Sequence, residues 1–273
     1  MLRLINNIEA DQIGCTDVKK EHNFDIGCQV CRWRELCLPA FLSEDEIAAL
    51  ENVIVERRKV NANELIYQQG ETFNAIFAIL SGAVKDYKIL HNGVVSVTGF
   101  HLPGELFGYS GIYQGCYSVN AEALQDTLIC VVPYDGLTKV CHQIPELQAR
   151  LFHLMSGQIV QQQEHLGQLK VANAARIRVA IFLLDLSSRS ARRSESATRI
   201  RIPITQHDIG SYLGIASESV CRELTHLVKS GVVTKNKREI TILDFESLRR
   251  SAGLVSGGGR TACGASLDRA SRT

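Results

Sequence analysis

Five glycines, Gly70, Gly82, Gly93, Gly104 and Gly115, stand 12, 11, 11 and 11 residues apart. Short apolar runs alternate with polar residues between them, as in "FAILSGAVKDYKIL" and "VVSVTGFHLPGELFG". Turn signals at this interval predict an all-β sandwich, barrel or jelly roll over about residues 60–135, within a domain spanning 43–144. No internal sequence repeat accompanies the spacing.

After Pro145 the period changes. Phe152, Met155, Ile159, Gln162, Leu166 and Leu169 are spaced 3, 4, 3, 4 and 3. A core-facing helix also shows such spacing, but here it reads as the a/d seam of a coiled coil. A dimerisation helix is predicted over 145–171. Gln162 is a polar residue on the seam, of the kind that fixes register and oligomer state. Before the β-rich region, Ser43 and Glu46 form a capping box that opens a helix over about 44–52. After the seam, a helix over 174–189 leads into "SRSARRSESATR", 188–199, which reads as a mobile basic loop. Residues 251–273 are Gly/Ser/Ala-rich, and a disordered tail is predicted there.

Residues 205–243 carry a more specific pattern. Thr205 caps a short helix with Ile209, Tyr212 and Leu213 on its apolar face. Gly214 supplies a tight turn. A second helix over about 216–229 turns Val220, Leu224, Leu227 and Val228 inward. Its N-terminal, opposite side shows Ser217, Glu218, Ser219, Cys221 and Arg222. After Gly231 a two-stranded hairpin follows, with Lys235, Lys237 and Arg238 at its tip. This is the pattern of a winged helix-turn-helix, occupying 172–250. Arg222 can donate two bonds to guanine, and Glu218 can accept from a cytosine amino group. The wing cations suit phosphates. Charge agrees: residues 1–172 carry −7 and residues 173–250 carry +6, so the basic part calls for a polyanion.

The N-terminal arm, 1–42, holds "CQVCRWRELC". Cys28, Cys31 and Cys37 there form a C-x2-C-x5-C pattern, among nine cysteines in all. An odd cysteine count in a chain this long is not a disulfide scaffold. No apolar run approaches the ~20 residues of a membrane helix, and Met1–Ala10 lacks the apolar core of a signal peptide. A cytoplasmic protein is predicted, whose close thiols bind metal or do redox chemistry. Spacing does not choose a fourth ligand. Cys130 lies in an apolar run, where a cysteine is ordinarily inert, and Cys15 and Cys116 are alternatives. Four thiolates suit a 4Fe–4S cluster or a zinc ion. One C-x2-C knuckle, rather than two, favours the cluster. Arg32 and Arg34 would soften its charge, and Trp33 would shield it.

"LSGAVKDY", "GFHLPGELFG", "LMSGQI" and "DIGSYLGIASESVCREL", together with "CQVCRWRELCLP", resemble the cyclic-AMP receptor/fumarate–nitrate reduction regulator superfamily, and within it the oxygen-responsive iron–sulfur regulators. The resemblance covers about residues 25–250. It implies an α+β chain with an N-terminal β-barrel (a cupin-like jelly roll), a long dimerisation helix and a C-terminal winged helix-turn-helix. It also implies one 4Fe–4S cluster per subunit, a homodimer, a palindromic DNA site with TTGAT-like half-sites, and contact with RNA polymerase. "ALQDTLICVVPY" matches the strand that bears the fourth ligand, so the resemblance implies Cys130. Glu218 and Arg222 occupy the base-reading positions. Cys221 departs from the usual Ser, and Gln162 stands where an acidic seam residue is common. An uncharged seam implies that the cluster-free protein stays dimeric more readily.

Rival readings fit less well. A cyclic-nucleotide sensor needs a cation for the phosphate, and residues 103–123 contain no arginine; a buried, unpaired phosphate is costly, so no cyclic nucleotide is expected. His91, His101 and His153 are each more ordinary than a haem ligand. No nucleophile–base pair, phosphate loop or paired carboxylate site suggests an enzyme. A zinc-bound or cluster-independent regulator of the same family is the main alternative.

Overall fold

The computed structural model describes residues 27–54, 56–171, 174–201 and 203–254, without the side chains of 169–171. Cys15, Cys263, most of the arm and nearly all of the expected disordered tail lie outside the described residues.

The N-terminal part runs α1 (Glu44–Glu51), β1 (Glu56–Val60), β2 (Leu65–Tyr67), β3 (Ala75–Ser81), β4 (Val84–Ile89), β5 (Val95–His101), β6 (Leu106–Phe107), α2 (Gly111–Gln114), β7 (Asn120–Ala123), β8 (Thr127–Pro133) and α3 (Tyr134–Gln143). The Ser43–Glu46 capping box is formed in full. All five evenly spaced glycines have positive φ. At Gly82 (φ 95°) a Cβ would also lie 2.6 Å from Thr127 Cα, so only glycine lets β3 turn into β4 against β8.

The eight strands form two antiparallel sheets, β1-β8-β3-β6 and β2-β7-β4-β5. Phe77, Ile79, Phe107, Tyr117 and Ile129 fill the core between them. The expected barrel is therefore corrected: the sheets are open and face one another as a jelly roll. The edges explain this. β6 has two residues and β2 three, too few to carry the continuous ladder that closure requires.

The long helix α4 spans Pro145–Val171, 27 residues, about 40 Å at the ordinary helical rise. Leu147 and Leu151 are buried in the core beneath the first sheet, and Leu154 and Met155 pack against it. Phe152, Ile159 and Leu166, seven residues apart, are 59%, 56% and 55% exposed.

The C-terminal part runs α5 (Ala175–Arg192), β9 (Arg199–Arg201), α6 (Gln206–Leu213), α7 (Ser217–Lys229), β10 (Val233–Asn236), β11 (Glu239–Ile242) and α8 (Phe245–Ser251). The expected basic loop over 188–199 begins only after Arg192 and spans 193–198. α5 continues to Arg192, and Arg189 and Arg193 are buried. Arg189 binds Glu105 through Nε at 2.9 Å and through Nη2, and also donates to the Phe100 carbonyl. These acceptors lie about 90 residues away, so local polarity could not reveal them. The wing likewise gains a third strand, in the order β10-β11-β9.

The two parts share one core. Val97, Phe100 and Leu102 of the jelly roll pack with Val179, Phe182, Ile209 and Leu213. Ser211 of α6 bonds both ways to β5, accepting from Val97 N at 3.0 Å and donating to Val95 O at 2.8 Å. Lys85 bridges Glu122 and Asp208 at 3.1 and 3.2 Å. No helix among the described residues is long and apolar enough to cross a membrane.

Candidate metal centre and nucleic-acid interface

Residues 28–37 form successive tight turns. Arg34 N bonds to Cys31 O at 3.0 Å, and Cys37 N to Trp33 O at 3.0 Å. The arm is held to the jelly roll by its one tryptophan. Trp33 is buried, and its Nε1 donates to Leu80 O of β3 at 2.7 Å. Arg32 stacks on the Trp33 ring, while Arg34 donates to Leu42 O.

This turn-rich arm lies over β8. Cys28, Cys31, Cys37 and Cys130 all line one apolar cavity with Trp33, Leu38, Arg57 and Val132. Cys130 sits in the middle of β8, paired with Arg57 of β1 on one side and Ala78 of β3 on the other. Cys116 pairs with Thr72 in an isolated bridge and does not line the cavity, nor does Cys141, which is buried on α3.

Burial pushes the Cys28 thiol up to about 12, with the charges of Cys130 and Glu51 adding to it. Burial also raises Cys130, to about 11, against the opposing charge of Arg57. Cys37 is raised as well, again by burial. Such thiols keep their protons until a metal displaces them. Among the described residues, no group of three or more His, Cys, Asp or Glu is gathered tightly enough to clasp a metal ion. The four thiols surround a shared space instead. A four-thiol donor set in an apolar shell has the donor chemistry that an iron–sulfur cluster requires.

The long helix touches this arm directly. Arg150 of α4 donates through Nε to Cys37 O at 3.0 Å and through Nη2 to Glu35 O at 3.1 Å. It sits two residues before Phe152, the first of the exposed apolar residues at heptad spacing. Sequence reasoning passed over Arg150 because both acceptors are backbone carbonyls more than 110 residues away.

In the C-terminal part, Thr205 caps α6 by accepting from Asp208 N. Gly214 ends that helix with φ 61°. A second glycine, Gly210, matters more for the crossing: a Cβ there would meet Ile215 O at 2.7 Å. α7 then buries Val220, Leu224 and Leu227, while Val228, expected to face inward, is 39% exposed. Glu218, Cys221 and Arg222 are exposed together, and Ser217 and Ser219 are half-buried. Arg222 donates to Ser219 Oγ at 3.2 Å and lies 3.7 Å from Glu223. Lys235, Lys237 and Arg238 are exposed at the wing tip, where Lys237 has φ 51°. Arg199 and Arg201 on β9 add two exposed cations beside them. The alternation around buried Ile200 was the signal for that strand.

Known proteins share these parts. Residues 57–144 match the cyclic nucleotide-binding domain family, and residues 177–251 match the Crp-like helix-turn-helix domain family. The transcriptional activator protein anr of Pseudomonas aeruginosa is 36% identical over 226 residues, 83% of this chain and 92% of that protein. The fumarate and nitrate reduction regulatory protein of Escherichia coli is 34% identical over 228 residues, 84% and 91%. The solved structure of FixK2 from Bradyrhizobium japonicum aligns with a TM-score of 0.65 at 28% identity, covering 75% of this chain and 98% of that one. With a jelly roll, a long helix and an exposed recognition helix in the same order as these regulators, the chain belongs to the cyclic-AMP receptor/fumarate–nitrate reduction regulator family of DNA-binding transcription regulators.

Proposed function

We propose that this regulator responds to oxygen or redox state through one 4Fe–4S cluster per subunit, held by Cys28, Cys31, Cys37 and Cys130. The observation that carries the reading is the meeting of the four thiols at one cavity, three from the arm and one from β8 about a hundred residues away. When bound, the cluster supplies an oxidant-sensitive centre.

The chain's own residues do the rest. Ligation ties the arm to β8, and Arg150 passes the arm's position to α4. Phe152, Met155, Ile159, Gln162, Leu166 and Leu169 then form the seam of a homodimer. The apolar residues exposed on that stripe in the single chain support this. Dimerisation sets two α7 helices against a palindromic site with TTGAT-like half-sites. Ser217, Glu218, Ser219, Cys221 and Arg222 face the bases, and the wing cations face phosphates. RNA polymerase is the further partner, in the cytoplasm, and no cyclic nucleotide takes part.

Anaerobic purification tests this. The expected protein is brown, holds about four iron atoms per chain, absorbs broadly near ~400 nm, and binds a palindromic TTGAT duplex until air bleaches it. Cys130→Ser should hold no cluster. Colourless wild-type protein with stoichiometric zinc overturns the reading in favour of a zinc-bound regulator.

A further inference from the structure

The four-cysteine cavity contains one charged side chain that the reading above leaves without a task. Arg57 of β1 lines the cavity and stands directly across the strand pair from Cys130. Its positive charge opposes the rise that burial imposes on the Cys130 thiol. Its Nε is buried and has no partner within ordinary hydrogen-bond limits among the described residues. A buried guanidinium N–H without an acceptor is costly, and such a group calls for an explanation. No carboxylate pairs with Arg57 among the ion pairs of the described residues. Arg34 and Arg58 also leave Nε buried without a partner, but each donates through Nη2 to a backbone carbonyl, Leu42 O and Ile66 O, and Arg58 does not line the cavity.

Electrostatics says what would satisfy it. Four thiolates and an oxidised 4Fe–4S core together carry a net charge of about −2. Sulfur acceptors and net negative charge are what the free N–H and the cation lack. We infer that Arg57 is a positioning and charge-setting residue for the metal centre, donating to the sulfur of Cys130 and holding a fixed positive charge against the cluster.

The inference rests on the cluster reading and adds a residue to it. Its consequence concerns stability toward oxidation. Loss of one electron from a bound cluster to dioxygen, reduced in turn to superoxide, would take the site from about −2 to about −1. A fixed cation beside the site disfavours that loss of negative charge. Hydrogen bonds to cluster sulfur act in the same direction on the potential. Arg57 would thus slow the oxidation that the sensor reports, setting its threshold without being a ligand.

Wild type, Arg57→Gln, Arg57→Met and Arg57→Lys are to be purified anaerobically as full chains and checked by circular dichroism. Iron per chain, midpoint potential and the rate of bleaching in air-saturated buffer are then compared. Arg57→Gln and Arg57→Met should keep iron, show a lower potential, and bleach several-fold faster. Arg57→Lys keeps the charge but loses the planar fork, so it should fall between them and wild type. Either neutral variant suffices if the other does not fold. Unchanged potential and bleaching in a folded neutral variant overturn the inference. So does Arg57→Lys behaving like the neutral variants, or failure of all three to fold, since Arg57 would then serve packing alone. A wild-type protein that holds no iron is a different failure, that of the cluster reading itself.

Discussion

At the residue scale, two side chains on the helix-turn-helix have separable roles. Arg222 is exposed on α7 and, among the described residues, is bound to two neighbours on its own helix, Ser219 and Glu223. Its removal leaves the fold alone and removes a base contact. Arg222→Ala should cost about 1–3 kcal/mol at one base pair of the site. Binding measured across single-base variants checks this, and an equal loss at every sequence would count against base readout. Gly210 is the opposite case. Adding one methyl brings Cβ to 2.7 Å from Ile215 O, so Gly210→Ala should destabilise the C-terminal part by roughly 1–3 kcal/mol, read as a lower urea midpoint. The sequence announced Gly214 through its place after an apolar helix. Gly210 sits inside the helix, and only the crossing of chain at Ile215 and Ser217 makes its lack of a side chain matter.

At the element scale, α4 faces two ways. Its first turns are buried against the jelly roll through Leu147 and Leu151, while Phe152, Ile159 and Leu166 stay exposed at heptad spacing. Heptad spacing was legible because a seam repeats along one segment. The sharing of Met155 with the sensor core was not, since both faces use the same residue types. Gln162, on the proposed seam, is exposed and uncharged. Cluster-free protein at micromolar concentration should therefore run as a dimer on gel filtration, and Gln162→Glu, which places like charges in register, should shift it toward monomer. Monomeric wild type under those conditions would refute this. Arg150→Met should uncouple the arm from α4: iron content stays, while the difference in dimer dissociation constant between cluster-bound and cluster-free protein, measured by dilution below micromolar concentration, shrinks.

At the scale of the whole molecule, the DNA-binding part is docked on the sensor through charge as well as apolar packing. Burial by itself would raise the Glu105 carboxyl, but Arg189 outweighs it and holds Glu105 below the usual carboxylate range. A depressed folded-state value contributes stability above the unfolded pKa of about 4.3 and loses it as pH falls toward the folded value. Docking should thus be insensitive to pH near neutrality and weaken in acid, seen as earlier proteolysis between the two parts below about pH 4. Arg189→Leu should loosen it at neutral pH, because Glu105 then keeps a charge without its partner. Unchanged proteolysis in that variant would show that apolar packing alone holds the parts together.

The kind and order of the parts were written in the chain locally: turns at eleven-residue intervals, a long helix with heptad-spaced apolar residues, a capped helix pair and three close thiols. Each is a pattern in neighbouring residues, set by backbone geometry and local periodicity. Open sheets in place of a barrel, a buried Arg189 in place of a basic loop, and a third wing strand were decided only by the tertiary structure. The same holds for the joining of Cys130 and Arg57 to the arm's three cysteines, since a resemblance could point to Cys130 but not to the arginine opposite it. All of these depend on partners far away in the chain, and an isolated arginine or cysteine carries no local sign of the acceptor or cavity it will meet.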